Sequence, residues 1–395
     1  MVVGQFSQDV DILVIGGGPA GYTAAFRCAE LGKTVAIVDP NESLGGECLH
    51  HACIPSIASL LGNDVGNAVA TLSKGLEKRC KILEIERLHG IAHFENKKTV
   101  QITGEVVSVV KFRKAIIASG SEPRTDDRFP EAIQVEDVYA SNFTGKNILV
   151  VGNTPSAAES STFLMQNNTV TLLSDGDILP MLEKQLVKIA TQKISICNKK
   201  PEESSFDIVI LASHRLPQTN SLQLENANID IVDGYINTND TGATSNPKIY
   251  AVGECAGCQH SAALAIAQGR VAGESACDLD THVDSIFVPQ VAWTTPEIAQ
   301  VGTFDDETVS LRWGNSDLAV ALGQHNGITL IGYEKESQAI TGIGIVGVGA
   351  TEMISEGVLA LEMGATLYDL ATALHPHPTR NELLAECARQ ALASY

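Results

Sequence analysis

The sequence predicts an α/β fold with two Rossmann-like βαβ domains and a C-terminal α+β domain. Two β-branched runs, DILVIGGGPAGYTAAFRCAELG from Asp11 and NILVVGNTPSAAESSTFLMQNN from Asn147, each lead into a turn and a helix-length stretch. A second short strand follows each helix, an order typical of doubly wound parallel sheets. After Asp278 the sequence changes to glycine-punctuated apolar strands and two helical stretches around HPHPTRNE, which predict the third domain.

Length and charge exclude several classes of protein. The 395 residues predict two to three domains. Lys and Arg number 27 against 47 Asp and Glu, and the net charge of −20 repels nucleic-acid phosphates and anionic membranes. No basic region precedes the first apolar run, and the nine cysteines are irregularly spaced. We therefore expect a cytoplasmic protein with no nucleic-acid or membrane partner.

The first glycine loop predicts a dinucleotide site. Gly16, Gly18 and Gly21 form GxGxxG directly after a strand, and Asp39 ends the next strand. The first glycine permits the tight turn, the second lets the backbone approach a pyrophosphate, and the third lets helix meet strand. The helix N-terminus offers N–H groups to the anion, and the acid accepts a hydrogen bond from a ribose hydroxyl. The complete unit favours a nucleotide over a ligand-free glycine turn.

Two cysteines follow in GGECLHHACIPS. Cys48 and Cys53 are about one helical turn apart and can face the same side. A helix N-terminus would lower their pKa values and favour the reactive thiolate. Chance pairing of structural thiols is one alternative. Zinc is another, although no second cysteine pair lies nearby at finger-like spacing.

Near the C-terminus, His377 is followed five positions later by Glu382. A neutral imidazole with an acid partner is a natural base for a thiol near pH 7. However, Thr379 and Glu382 also have the spacing of a helix capping box, and the segment from His375 to His377 could be a stiff extended lead into the helix. The spacing alone leaves both interpretations open.

Six motifs in order, GGGPAG, GGECLHHACIPS, IIASGSEP, IYAVGE, VPQVAWTTPEIAQVG and HPHPTRNE, run nearly end to end. With them the sequence resembles the dihydrolipoamide dehydrogenases, which are FAD-dependent pyridine nucleotide–disulfide oxidoreductases. His375 ahead of His377 is closer to this group than to glutathione reductase. The lone Cys387 differs from the vicinal C-terminal cysteines of a mercuric reductase.

The resemblance implies a domain plan and an activity. Residues 1–142 and 246–284 would form an FAD-binding domain, 143–245 a shortened NAD(P)-binding-like domain, and 285–395 a C-terminal dimerisation domain. The implied reaction oxidises dihydrolipoamide, a lipoyl domain or another dithiol through a redox-active disulfide and FAD to NAD⁺, a role in cell redox homeostasis. The implied homodimer builds each active site from both chains.

The resemblance also assigns residues, and it implies no metal site. The catalytic residues would be Cys48, Cys53, His377 and Glu382. The FAD residues would be Gly16, Gly18, Pro19, Ala20, Gly21, Asp39, Gly46, Glu47, Ser119, Gly120, Gly253 and Glu254. Gly152 and Glu159 would belong to the NAD side. Glu254 replaces the usual aspartate, so we expect FAD to be retained with altered local geometry.

Several positions on the NAD side depart from the family pattern. The second loop, Gly152-Asn153-Thr154-Pro155-Ser156-Ala157, keeps only its first glycine, and the next strand ends at Ser174 before Asp175 and Asp177. Ile57 stands where a lysine usually pairs with the glutamate at position 159, which should then have a raised pKa or be exposed to water. Only CNKKPEESSF fills the place of a β-meander.

These departures leave three hypotheses: transfer to NAD⁺, transfer to a non-nicotinamide acceptor or protein partner, and a non-catalytic FAD-binding interaction protein. Retention of both cysteines and of the C-terminal His–Glu pair counts against the third. A further pair, Cys255 and Cys258, could be a second redox pair or a metal half-site. Small core residues are the favoured interpretation, since no second pair is visible for a metal.

Overall fold

The computed structural model describes residues 7–104, 109–201, 205–258, 261–282 and 287–393. They form two compact units, the first from Met1–Arg124 and Arg215–Asp284 and the second from Thr125–His214 and Ser285–Tyr395. The three-domain division predicted above stays a prediction, and its boundary at 284–285 lies outside the described residues. Residues 215–245, placed by the sequence in the middle domain, lie in the first unit.

Helices and strands alternate through most of the chain. The helices are α1 Pro19–Glu30, α2 Gly46–His50, α3 Cys53–Leu60, α4 Val65–Ile82, α5 Pro155–Leu164, α6 Lys184–Ala190, α7 Ala262–Ala276, α8 Asp317–Ala321, α9 Ala350–Glu362, α10 Leu367–Thr372 and α11 Glu382–Leu392. The strands are β1 Ser7–Ile15, β2 Val35–Asp39, β3 Glu86–His89, β4 Ile91–Asn96, β5 Thr99–Thr103, β6 Val109–Ile117, β7 Ser121–Glu122, β8 Ile133–Gln134, β9 Asn147–Val151, β10 Thr169–Leu173, β11 Ser195–Cys197, β12 Ile208–Leu211, β13 Leu216–Pro217, β14 Ile231–Val232, β15 Tyr235–Ile236, β16 Ile249–Ala251, β17 Gln290–Ala292, β18 Ile298–Gly302, β19 Glu307–Arg312, β20 Ile328–Tyr333 and β21 Ile340–Val346. No described helix has both the length and the apolar character needed to cross a membrane.

The first unit contains a doubly wound sheet. Its parallel strands lie in the order β3-β2-β1-β6, and β16 pairs with the C-terminal half of β6. The antiparallel strands β5 and β4 extend from the N-terminal half of β6. All five residues of β2 are buried, as expected for a parallel strand covered on both faces. The glycine loop therefore begins at the carboxyl end of a central strand, where open α/β sheets bind ligands.

The second unit begins with a smaller parallel sheet, ordered β11-β10-β9-β12-β8. It contains the second βαβ unit that the sequence predicts, with α5 between β9 and β10. Within the described residues, β11 is followed directly by β12 with no intervening strand. This agrees with the short connection read from CNKKPEESSF and leaves a small parallel sheet without the meander.

The C-terminal part of the second unit is an antiparallel sheet, ordered β17-β18-β21-β20-β19, with α9, α10 and α11 packed on it. Trp313 is fully buried, and its indole N–H donates to the Thr329 hydroxyl at 3.0 Å. This arrangement is the α+β domain predicted from the sequence. With the two parallel sheets, it confirms the predicted fold class.

Candidate active site

The first glycine loop has the geometry of a nucleotide cradle. Gly16 has φ +107°, and a Cβ there would lie 2.1 Å from the Ala118 carbonyl oxygen. A Cβ on Gly21 would lie 1.9 Å from the Gly16 oxygen, so close backbone packing requires both glycines. Gly18 differs, because its Cβ would meet only the Gly46 Cα at 3.9 Å. Its absent side chain instead leaves open space at the N-terminus of α1, where Pro19 is the first helical residue.

Two acids border this loop. Asp39 is buried at the end of β2, and its two carboxylate oxygens accept from the backbone N–H groups of Gly17 at 2.5 Å and Asn41 at 2.7 Å. Each oxygen keeps a further lone pair for a ligand hydroxyl. Glu47 follows Gly46 in α2, and its Oε1 atom is buried with no hydrogen-bond partner in the described part of the chain. A buried carboxylate oxygen left in this way is suited to a donor from a ligand.

A polar network that the sequence does not reveal joins Glu47 to Glu254. Arg215 lies 3.5 Å from the Glu47 carboxylate, and its Nε donates to the Ser121 hydroxyl at 2.8 Å. That hydroxyl in turn donates to Glu254. Arg215 therefore contacts the Glu47 carboxylate directly and is linked to Glu254 through Ser121, and it directly precedes β13, which pairs with β7.

The remaining predicted FAD residues lie on loops around these strands. Gly120 has φ +72°, and its carbonyl accepts from the Gln218 N–H at 3.0 Å. The Ser119 hydroxyl donates to the Gln218 carbonyl at 2.7 Å. Gly253 has φ +75°, and its N–H donates to the Gln268 side chain at 2.9 Å, just before the 3₁₀ turn that starts at Glu254. Buried Ala20 follows Pro19 in α1.

The two cysteines of GGECLHHACIPS are in hydrogen-bond contact as thiols. Cys48 lies in α2 and Cys53 is the first residue of α3. The hydrogen bond with Cys53 lowers the pKa of Cys48, against the opposing effects of burial and of the Glu47 charge. Tyr22 is close enough to both sulfurs to be affected by their charges. Its pKa is raised by burial first, and then by the charges of Cys48 and Cys53. The pair therefore places a thiol of lowered pKa beside a second thiol.

In the C-terminal pair, the two oxygens of the Glu382 carboxylate have different partners. Its Oε1 is 2.9 Å from the His377 Nδ1, while its Oε2 accepts from the Thr379 N–H at 2.6 Å. Thr379 and Glu382 do not form a capping box, because α11 begins at Glu382 with Asn381 as its N-cap, and the Thr379 hydroxyl donates to the Pro376 carbonyl. The Glu382 hydrogen bond raises the pKa of the exposed His377 imidazole. One carboxylate thus binds the turn before α11 and the His377 ring together.

A second His–Glu pair fixes this segment. His375 is nearly buried, and its Nε2 is 2.7 Å from the Glu356 carboxylate on α9. The other Glu356 oxygen accepts from the Asn381 side-chain amide at 2.6 Å. These contacts fix the chain on both sides of His377, so Glu356 positions this segment. Glu356 lies outside the HPHPTRNE motif, and the motif alone does not reveal its role.

The second glycine loop keeps the turn but not the cradle. Gly152 has φ +152°, and a Cβ there would lie 2.2 Å from the Ala212 oxygen, as at Gly16 in the first loop. At the second glycine position, Thr154 is buried, and its hydroxyl accepts from the Ala157 N–H and donates to the Ala212 carbonyl. The chain itself thus occupies one of the N–H groups at the start of α5 that a pyrophosphate would need.

The acid that would follow this loop is also replaced. Ser174, at the end of β10, is buried and donates its hydroxyl to the Gly176 carbonyl. Asp175 forms an ion pair with Arg128 at 2.7 Å, and Asp177 lies 3.1 Å from Lys184. Neither carboxylate takes the place of the first loop's buried Asp39.

Glu159 receives a different partner from the one that the family pattern provides. It is half-buried on α5, and its Oε1 accepts from the Trp293 N–H at 3.0 Å. Ile57 is half-buried in α3 of the other unit. The backbone N–H of Trp293, the residue after β17, thus donates to this carboxylate, which the family pattern would pair with a lysine.

The chain matches the family model described as "Pyridine nucleotide-disulphide oxidoreductase" over residues 10–195 and 177–269, and that family's dimerisation domain over 288–388. The dihydrolipoyl dehydrogenase of Geobacillus stearothermophilus is 30% identical, over 100% of this chain and 98% of that protein. That of Thermus scotoductus is 31% identical over 96% of both. The HOCl-induced flavoprotein disulfide reductase RclA of Escherichia coli has the same fold, with TM-score 0.87 and 19% identity over 96% of this chain and 99% of RclA.

The chain belongs to the pyridine nucleotide-disulphide oxidoreductases. It is therefore an oxidoreductase, and membership in this family supports FAD and NAD(P) as cofactors and a homodimeric state. The alignment with the Geobacillus protein spans 464 positions, whereas this oxidoreductase has 395 residues. The alignment covers the whole chain, and its gaps mark positions where this chain has no residue.

The two glycine loops of this oxidoreductase differ in how well they fit a nucleotide. The first loop fits FAD, because it offers an open α1 N-terminus at Gly18, the buried acid Asp39 and the unsatisfied Glu47 oxygen. The second loop does not reproduce these features, because Thr154 fills the corresponding position with its own hydrogen bonds. The residues present do not form a pyrophosphate cradle there.

The remaining pair, Cys255 and Cys258, is buried in this oxidoreductase. Burial raises the pKa of both thiols, that of Cys258 to about 12. The Cys255 thiol donates to the Val252 carbonyl at 3.3 Å, and Cys258 donates to Ser261 at 3.4 Å. These contacts favour ordinary core residues. Within the described ranges, no group of three or more His, Cys, Asp or Glu is arranged to hold a metal ion.

Proposed function

We propose that this chain is a cytoplasmic FAD-dependent oxidoreductase that oxidises a dihydrolipoyl-like dithiol through a Cys48–Cys53 disulfide. The observation that carries the proposal is the contact between these two thiols, which lowers the pKa of Cys48. Its support is full-length similarity to dihydrolipoyl dehydrogenases. Retention of this pair together with His377 and Glu382 counts against a non-catalytic interaction protein.

The proposed active site is shared between two subunits, with His377 of the partner subunit as the base for the substrate thiol. In the second unit, four of the large apolar side chains that are more than half exposed lie in the segment before His375: Leu359, Met363, Tyr368 and Leu374. An apolar surface of this kind is suited to a second copy of the chain. Leu374 is fully exposed and directly precedes the fixed His375, so the proposed interface adjoins the base.

The chain's own residues account for the dithiol chemistry. Because Glu382 binds Nδ1, the neutral His377 imidazole presents Nε2 to accept a proton from the first substrate thiol. The resulting sulfur attacks Cys48, the Cys48–Cys53 bond breaks, and Cys53 leaves as a thiolate. The second substrate thiol then loses its proton and attacks the first substrate sulfur, which releases Cys48 and the cyclic disulfide. FAD, when bound, supplies the acceptor for the two electrons left on the cysteine pair.

Anaerobic titration of the flavin-loaded protein with dihydrolipoamide tests this function. We expect the dithiol to reduce the flavin spectrum near stoichiometrically, because its second thiol closes a ring and completes the exchange. A monothiol such as 2-mercaptoethanol at equal thiol concentration should be far less effective. A spectrum that dihydrolipoamide leaves unchanged, although dithionite bleaches it, would contradict the proposal.

A second candidate function keeps the dithiol chemistry but uses a non-nicotinamide acceptor. The specific observation in its favour is Thr154, whose hydroxyl already occupies the start of α5. In the same titration, NADH should leave the flavin oxidised at concentrations where dihydrolipoamide reduces it. Rapid bleaching by NADH would instead support the nicotinamide acceptor and set this candidate aside.

Glu382→Gln is expected to change the pH dependence of dithiol oxidation. The carboxylate raises the pKa of His377, so the imidazole becomes a free base at a higher pH than it would alone. Loss of that charge should move the acidic limb of kcat/KM to lower pH and lower the maximum about 10- to 100-fold. The amide oxygen can still accept from the Thr379 N–H, which keeps the turn.

Glu386→Gln is the matched control, because Glu386 lies on the same helix and is exposed in an ion pair with Arg389. Its pH profile from pH 5 to 9 should overlie that of the unchanged protein. An acidic limb at the same pH in Glu382→Gln would show that His377 is not the base.

A further inference from the structure

Two cysteines outside the proposed site meet where α1 and α7 cross. The helices approach so closely that a Cβ on Gly269 would lie 2.2 Å from the Ala20 oxygen, and one on Gly273 would lie 2.9 Å from the Ala24 oxygen. Two cysteines lie near the C-terminal ends of these helices. Cys28 is in the last turn of α1, and Cys277 is the C-cap residue of α7. Close backbone packing thus holds the two cysteines at a fixed place.

Both cysteines converge on one carbonyl group. The Cys28 sulfur lies 3.4 Å from the Gly273 oxygen, and the Cys277 backbone N–H donates to the same oxygen at 3.2 Å. The two side chains are also hydrogen-bonded to each other. Cys28 is completely buried, whereas Cys277 is partly exposed. Cys277 is therefore the member of the pair nearer to solvent, and Cys28 is its buried partner.

The surroundings favour a thiolate on the exposed member. The hydrogen bond from Cys28 lowers the pKa of Cys277 to about 7, with further lowering by Lys33 and Lys114 against burial and the Asp278 charge. Lys114 is fixed by a 2.6 Å ion pair with Asp278. The pKa of Cys28 is raised by the same sulfur contact and by burial, so it remains the protonated donor.

We propose that Cys277 and Cys28 form a second redox-active pair, separate from Cys48 and Cys53, which reacts with hydroperoxides and closes to a disulfide. The Cys277 thiolate attacks the terminal peroxide oxygen, the O–O bond breaks, and a sulfenic acid forms while the leaving oxygen takes a proton as water or alcohol. The Cys28 sulfur then attacks the Cys277 sulfur. Its proton leaves with the hydroxyl as water, so two thiols and one peroxide give one disulfide and two hydroxyl products.

The proposed bond would connect the α1 and α7 ends of the FAD-binding unit. It does not rest on the dihydrolipoyl activity, since neither cysteine belongs to the glycine loop or to the Cys48–Cys53 pair. Cys277→Ser should therefore leave dithiol oxidation unchanged, and a failure of either proposal would not affect the other.

Peptide mapping of the flavin-loaded protein tests the proposal. The reduced protein is treated with one to a few equivalents of hydrogen peroxide, alkylated and digested without reductant. We expect a linked peptide pair containing Cys28 and Cys277, which separates after reduction. The proposal is overturned if Cys277 is oxidised to the sulfinic acid with Cys28 still a thiol. It is also overturned if both remain thiols while Cys48 and Cys53 become oxidised.

Cys28→Ala gives the second measurement. Without the resolving thiol, the Cys277 sulfenic acid should accumulate and be trapped by dimedone. Cys197 is the internal control, because it is also partly exposed but burial and Asp175 raise its pKa. We expect roughly tenfold more trapping at Cys277 than at Cys197. Equal labelling would contradict the proposed reactivity, and the mapping of the unchanged protein applies even if this variant fails to fold.

Discussion

Cys53→Ser is expected to lower dithiol oxidation at least about 10³-fold, since a hydroxyl cannot form the disulfide that the substrate attacks. The glycine loop does not include Cys53, so the variant should still bind FAD. Two readouts check this: turnover of dihydrolipoamide with an artificial dye as acceptor, and the long-wavelength thiolate-to-flavin absorbance of the reduced protein. Both should be lost.

Cys53→Ala separates two roles of this thiol. The hydrogen bond with Cys53 is the largest cause of the lowered Cys48 pKa, so alanine should raise that pKa and slow alkylation of Cys48 at neutral pH. Serine keeps a donor and should slow it less. Cys197→Ser, which removes a half-buried thiol of the second unit, is the control and should retain turnover. Survival of the long-wavelength absorbance in Cys53→Ser would overturn the assignment of this cysteine.

Local patterns predicted the fold class because each element carries its own signal. The buried β-branched strands β1 and β9 and the glycines after them specify a βαβ unit without reference to distant parts of the chain. Gly16 and Gly152 have the same role, since each allows a turn against the carbonyl that ends the neighbouring strand. A pattern of spacing finds such residues because the motif itself recurs, although the carbonyls that they approach, those of Ala118 and Ala212, are distant in the sequence.

The polar contacts around the site could not be predicted in the same way. Arg215 and Ser121 are 94 positions apart, and Glu159 and Trp293 are 134 apart, so only tertiary packing brings them together. Glu382 shows a different limit, because its two oxygens serve His377 and Thr379 separately. Spacing suggested two alternative partners for this carboxylate, whereas the side chain contacts both.

Gly18→Ala is expected to weaken FAD binding while leaving the apoprotein as stable as before. Its backbone has φ −73° and ψ −175°, which alanine adopts without strain, and a new Cβ would meet only the Gly46 Cα at 3.9 Å. That methyl group would project into the space where a pyrophosphate approaches the α1 N-terminus. Overpacking of about 1–3 kcal/mol corresponds to a Kd about 5- to 150-fold higher.

Two other glycine variants make the measurement decisive. In Gly21→Ala the Cβ would lie 1.9 Å from the Gly16 oxygen, so both the apoprotein Tm and the FAD affinity should fall. In Gly75→Ala, on α4, nothing lies within 4 Å of the new Cβ, and neither quantity should fall. Normal FAD affinity in Gly18→Ala, measured by titrating apoprotein, would mean that the loop does not hold the pyrophosphate. Loss of affinity with an unchanged Tm would show that the ligand, and not the protein's own packing, requires the glycine.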